Sequence, residues 1–224
     1  MKPLRRRTAT RMLAGTLGLV LGVAQAQTGD TALVDAAQRG DLARVRRLLD
    51  AGTAIEQRDG RGRTPLLAAT DGQHLAVALL LIKRGADVNA QDQQRDSAFL
   101  LAGARGYTEI LRATLAAGAD LGSTNRYGGT ALIPACHYGH VETVRLLLGT
   151  RIDIDHVNNL GWTALLEAVI LGDGGPVHAE IVRLLIGAGV KPDLADRAGV
   201  TPLQHAVRRG QTQVAALLRA AGAR

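Results

Sequence analysis

The sequence predicts an all-α solenoid of about six stacked helix-turn-helix units with protruding turns. Three observations carry this. The chain has 224 residues but only three Tyr, one Phe and one Trp, so its core must be built from small and aliphatic side chains. A Ser or Thr recurs as Thr31, Thr64, Ser97, Thr130, Thr163 and Thr201, at spacings of 33, 33, 33, 33 and 38 residues. Each begins the same order of apolar, small and glycine positions, which no single unit could bury by itself.

Within a unit, position 1 is the Ser or Thr, a type that caps a helix N-terminus through its side-chain oxygen. Position 2 is proline at Pro65 and Pro202, where a first-turn proline is tolerated. Position 3 is large (Leu33, Leu66, Phe99, Leu132, Leu165, Leu203) and position 6 is always alanine (Ala36, Ala69, Ala102, Ala135, Ala168, Ala206). The two share one helical face, so a neighbouring helix can approach closely at the alanine. Glycine then ends a short first helix at Gly40, Gly106, Gly139, Gly172 and Gly210, with Gly72 one place early in the second unit. A second helix follows in "VRRLL", "VRLLL" and "IVRLLI", stopped by Gly52, Gly85, Gly118, Gly189 and Gly222. A polar stretch such as "NAQDQQRD" reaches the next cap as an extended turn.

The stretch "TPLLAATDGQHLAVALLLIKRGADVNAQD" resembles an ankyrin repeat, and so do the other five units. The resemblance covers residues 31–224, in units 31–63, 64–96, 97–129, 130–162, 163–200 and 201–224. It implies a protein-binding module whose first helices and turns form a concave surface. Three departures stand out. The histidine common at position 4 in the family is here Val34, Leu67, Leu100, Ile133, Leu166 and Gln204, so apolar packing should replace a side-chain network. Pro134 removes an early helical hydrogen bond in the fourth unit, and Arg151 takes the glycine position that ends its second helix. The first unit carries Arg39, Asp41, Arg44, Arg46 and Arg47, and the last carries Arg208, Arg209, Gln211 and Arg219, as polar end caps require.

Residues 1–26 have the three parts of an export signal. Lys2, Arg5, Arg6, Arg7 and Arg11 form the positive region, "MLAGTLGLVLGVA" is the short apolar run, and Ala24 and Ala26 supply the small residues of a cleavage site. Thirteen apolar residues fall short of the roughly 20 that span a bilayer. An uncleaved anchor is the alternative, and Sec and twin-arginine export both remain open. The expected mature domain is 27–224, periplasmic or secreted, without a membrane span and monomeric. The leader's five positive charges account for most of the formal +7, leaving about +2 on the mature chain, which argues against nucleic acid as a partner. Cys136 stands alone and reads as a small buried residue, although an unpaired cysteine in an exported chain could pair between molecules.

No catalytic residue, metal or cofactor is expected. His74, His140 and His178 share position 11 and would form a row about 8–10 Å apart, too far for two to hold one zinc ion. Cys136 and His137 are adjacent and point about 100° apart on a helix, a poor nucleophile and base. Unit five is longer by "DGGPV", residues 173–177, between Gly172 and His178, where Gly174, Gly175 and Pro176 suit neither helix. The glycine-rich stretch before a helix could receive an anion, but it lacks the Lys-Ser/Thr of a phosphate loop. Asp173, His178 and Glu180 beside it make a small-molecule or metal-dependent enzyme using this loop the rival function.

Positions 5, 8 and 9 of each first helix face away from positions 3 and 6. Most residues at positions 8 and 9 are polar, but unit five presents Ile170 and Leu171, beside His137 and Tyr138 of unit four. Tyr127 and Trp162 lie in the adjoining turns, with Arg126 next to the former. These six, Tyr127, His137, Tyr138, Trp162, Ile170 and Leu171, form the candidate partner site, since exposed aromatic and aliphatic clusters near Arg mark protein-binding patches. The alternative is that the inserted loop folds back over Ile170 and Leu171 as a small satellite core.

Overall fold

The computed structural model describes residues 31–224; the leader, residues 1–26, lies outside them. The described residues form six helix pairs and no strand. The first helices are α1 (Ala32–Gln38), α3 (Pro65–Asp71), α5 (Ala98–Arg105), α7 (Leu132–His137), α9 (Ala164–Ile170) and α11 (Pro202–Arg208). The second helices are α2 (Leu42–Asp50), α4 (Leu75–Lys83), α6 (Thr108–Ala116), α8 (Val141–Leu148), α10 (Pro176–Gly187) and α12 (Thr212–Ala220). Each first helix packs on the first helices of adjoining units and each second helix on its counterparts, giving two rows. None of these helices is long and apolar enough to cross a membrane.

The core follows the period. All six position 6 alanines are fully buried, and the position 3 residues are too, apart from the 8% exposure of Leu203 in the last unit. The position 4 side chains Val34, Leu67, Leu100, Ile133 and Leu166 are buried, as apolar packing between units requires. In the last unit that position is exposed, and Gln204 there closes a capping box with Thr201. Truncating a buried leucine such as Leu165 to alanine in such a core costs about 2–5 kcal/mol.

The fourth unit shows what a single proline changes. Thr64, Ser97, Thr163 and Thr201 each accept the backbone N–H of position 4 on their side-chain oxygen; Thr31 makes no such cap. In the other units the N–H of position 5 donates to the carbonyl of position 1, as Ala68 does to Thr64. Pro134 has no N–H to give. The Thr130 carbonyl instead takes the N–H of Ile133 at 3.3 Å, so that N–H is not available to the Thr130 hydroxyl. Thr130 Oγ1 is buried without a partner. The expected cap is thus absent here, and α7 has only six residues.

Arg151 does not adopt the left-handed conformation of the glycines it replaces. Helix α8 ends one residue early at Leu148, and the Thr150 hydroxyl bonds the Leu147 carbonyl at 2.6 Å while accepting the Ile152 N–H at 3.1 Å. A side chain here satisfies groups that a left-handed turn satisfies elsewhere.

The insertion corrects two expectations. Of the inserted residues only Asp173–Gly175 lie in the helix-helix turn. Pro176 is the first residue of α10, where its missing N–H is no loss, so Pro176 and Val177 lengthen the helix. The left-handed residue is Gly174 (φ 69) rather than Gly172. A Cβ on Gly174 would lie 2.4 Å from Gln211 Cγ, so the insertion packs against the last unit. Gln211, expected as an exposed end cap, is only 6% exposed and its amide donates to the carbonyls of Val169 and Gly172.

Candidate functional site

The protruding turns are built by one repeated device. Asp59, Asp92, Asn125, Asn158 and Asp196 each accept, on Oδ1, the backbone N–H groups two and four residues ahead. This is local side-chain hydrogen bonding of the kind Asp and Asn favour in turns. Successive turns are joined through Gln93 N–H to the Arg61 carbonyl and Asn159 N–H to the Tyr127 carbonyl.

Between these turns and the first helices of units three to five lies a groove of about 930 Å3. Its walls include Tyr127, His137, Tyr138, Leu160 and Leu171, and its lining also includes Asn158 and Glu167. Tyr127, Tyr138, Leu160 and Leu171 are 52%, 61%, 50% and 42% exposed. The inserted loop therefore does not enclose Leu171. Tyr138 stacks on the His137 imidazole, with centroids 4.1 Å apart and planes 18° apart. Arg126 places its guanidinium carbon 4.6 Å from the Tyr127 ring centre and donates to the Tyr127 hydroxyl at 3.1 Å.

Four of the six anticipated residues, Tyr127, His137, Tyr138 and Leu171, thus line one groove. Ile170 and Trp162 are half-buried and do not line it. The Trp162 backbone closes its turn on Asn158.

Glu167, Asn158 and Leu160 also line the groove and were not anticipated. Glu167 is only 7% exposed, and its Oε1 accepts from Asn158 Nδ2 at 2.9 Å. Its Oε2 lies 3.8 Å from His137 Nδ1. Burial pushes the carboxyl up to about 7, while the Asn158 hydrogen bond pulls the other way. His137 is held below its ordinary value by burial and by neighbouring His178. The sequence did contain a signal, since Glu167 occupies position 5, which faces outward as positions 8 and 9 do. Cys136, behind it, is fully buried, and burial pushes its thiol far up.

The titratable side chains around the loop of unit five all have partners. His178 places Nδ1 2.8 Å from Asp173 Oδ1 and Nε2 2.9 Å from the His137 carbonyl, so both ring nitrogens are engaged. Glu180 pairs with Arg145 and Arg183. Among the described residues no group of three His, Cys, Asp or Glu side chains is placed to hold a metal ion.

A family model for ankyrin repeats in three copies matches residues 11–92 and 99–196, and one for ankyrin repeats in many copies matches 178–219. The chain belongs to the ankyrin repeat family. An ankyrin repeat domain from Acinetobacter baumannii is 53% identical, with a TM-score of 0.84, over 87% of this chain and 99% of that one. A second solved ankyrin repeat protein is 41% identical, with a TM-score of 0.82, over 84% and 96% of the two chains. The ankyrin repeat domain of Bcl-3, a member of the IkappaB protein family, is 31% identical over 88% of each chain, with a TM-score of 0.77. No curated protein matches. Ankyrin repeats are in general protein-protein interaction modules, known as non-catalytic, and suggest protein partners for this chain.

Proposed function

We propose that this chain is a non-catalytic protein-binding module of the bacterial envelope that holds its partner in the groove of units three to five, on the concave face of the ankyrin stack. One observation carries the reading. Four large side chains, Tyr127, Tyr138, Leu160 and Leu171, stand 42–61% exposed around a single groove. Exposed aromatic and aliphatic groups gathered in a concavity gain most when a partner desolvates them. The envelope location rests on the tripartite leader.

The test is crosslinking and affinity capture from the native envelope with matched variants. Tyr138→Ala and Leu171→Asp should weaken capture sharply, each by more than about 2 kcal/mol if the side chain anchors the partner. Arg44→Ala, exposed on α2, should bind as the parent does. Thermal melts on the same proteins separate lost binding from lost fold. Retention of full binding by Tyr138→Ala and Leu171→Asp would refute the site. Mass spectrometry of the native protein tests the location: Gln27 should be its N-terminal residue, and full-length cytoplasmic protein would refute export.

A further inference from the structure

We propose that the Glu167 carboxylate, on the lining of this groove, receives one basic side chain of the partner, an ammonium or guanidinium held between Asn158 and the stacked His137 and Tyr138 rings. The inference rests on the concave-groove reading and names the chemistry it selects.

Glu167 is more than nine-tenths buried yet lines the groove. A carboxylate offers about four acceptor sites. Among the described residues Asn158 supplies the hydrogen bond to Oε1, and Oε2 receives none, with His137 Nδ1 at 3.8 Å. A buried carboxylate with unused acceptors is expensive unless something pairs with it.

The last unit provides the contrast. There position 5 is His205 and the turn residue ahead of it, at the end of unit five, is Asp196; their side chains meet at 2.7 Å and close on each other. For unit five the preceding turn residue is the neutral Asn158 of unit four, so the tether forms but leaves the negative charge of Glu167 unbalanced. A tether alone needs no ionisable group at this position, which holds Ala68, Leu101 and Pro134 in units two to four.

Among the described residues no Lys or Arg lies within ion-pair distance of Glu167. Helix α7 brings His137 and the Cys136 thiol; α10 brings His178, with both nitrogens engaged; α11 brings His205, paired with Asp196. The groove's arginines are committed elsewhere, Arg126 over Tyr127 and Arg105 toward Asp71 at 4.0 Å. An arriving cation would stabilise the ionised form of a carboxyl that burial holds up at about 7. Binding should therefore release a proton and tighten as pH rises through that value.

The experiment selects a phage-displayed random peptide library on the intact protein, then titrates resynthesised winners against wild type, Glu167→Gln, Tyr138→Ala and Arg44→Ala. Glutamine keeps an acceptor for Asn158 Nδ2 while removing the charge, and a thermal melt confirms its fold. The expected winners carry Lys or Arg among apolar residues. Replacing that residue by norleucine, or Glu167 by Gln, should weaken binding roughly tenfold or more. Norleucine in the peptide gives the same answer without touching the protein. Winners that need Tyr138 but bind equally well with norleucine and to Glu167→Gln overturn this inference and leave the groove reading intact. Winners indifferent to Tyr138 and Glu167 alike, or no enrichment at all, overturn both.

Discussion

His178 Nε2 lies 2.9 Å from the carbonyl oxygen of His137, 41 residues earlier. His74 stands in the same relation to the Gln38 carbonyl at 3.0 Å, and His140 bonds the Ala104 carbonyl. Each is a position 11 histidine reaching the position 8 carbonyl of the preceding unit, at the end of a helix where carbonyls lack an internal partner. The row of histidines is therefore a set of struts, one to a joint. His178→Ala and His74→Ala should each lose about 1–2 kcal/mol in chemical denaturation. His178→Gln should recover most of that loss, because Gln211 already bridges to the Val169 and Gly172 carbonyls from the equivalent position. Equal loss in the Ala and Gln variants would show that the strut is not the hydrogen bond.

Gln73 (φ 57) and Arg95 (φ 60) are the two non-glycine residues with positive φ among those described. Gln73 stands where Gly40, Gly106, Gly139 and Gly210 stand in other units; Arg95 stands where Gly62, Gly128, Gly161 and Gly199 do. The left-handed region costs an ordinary residue about 1–2 kcal/mol, partly offset by the greater freedom glycine has when unfolded. Gln73→Gly should therefore stabilise by about 0.5–1 kcal/mol, raising the melting temperature by about 1–4 °C. Arg95→Gly should gain less, because it gives up the bond from Arg95 to Thr124 Oγ1 at 3.2 Å. A lower melting temperature in Gln73→Gly would contradict this account.

Glu167 makes stability depend on pH with a definite sign. Burial raises the carboxyl from 4.5 to about 7 on folding. Its contribution is fully present below about 4.5, where the group is protonated in both states, and is lost as pH rises through about 7. Glu167→Gln should match wild type near the lower value and exceed it above the upper one. His137 and His140, held below their ordinary value by burial, act in the opposite direction in both proteins. The difference between the two melting curves as a function of pH isolates Glu167, and a flat difference would show that the carboxyl is not perturbed.

Deleting residues 173–177 should leave a cooperative helical melt. Gly172 would then take the left-handed turn that Gly139 takes (φ 78), and His178 would sit at the mouth of its helix as His140 does. The melting temperature should fall by a few degrees at most, through the lost packing of Gly174 on Gln211. A non-cooperative melt would make the insertion part of the core.

The period alone determined which residues build the core. Position 3 leucines and position 6 alanines fall on one face of any helix with that spacing, so their burial follows from 3.6 residues per turn. The departures of the fourth unit were also visible as single residues, Pro134 and Arg151. Their consequences were not, because a displaced hydrogen bond moves on to whichever neighbour is within reach, here the Ile133 N–H and the Thr150 hydroxyl. The insertion was located by its length, but whether its proline would end a helix or begin one depended on where the chain turned. The site divided in the same way. Exposed Tyr138 and Leu171 could be assigned to an outward face from the helical angle, and Tyr127 to the turn beside them. The burial of Glu167, its tether to Asn158 and its distance from His137 are set across separate units. Desolvation of a polar group depends on what the neighbouring units place around it, and only the stacked structure decides that.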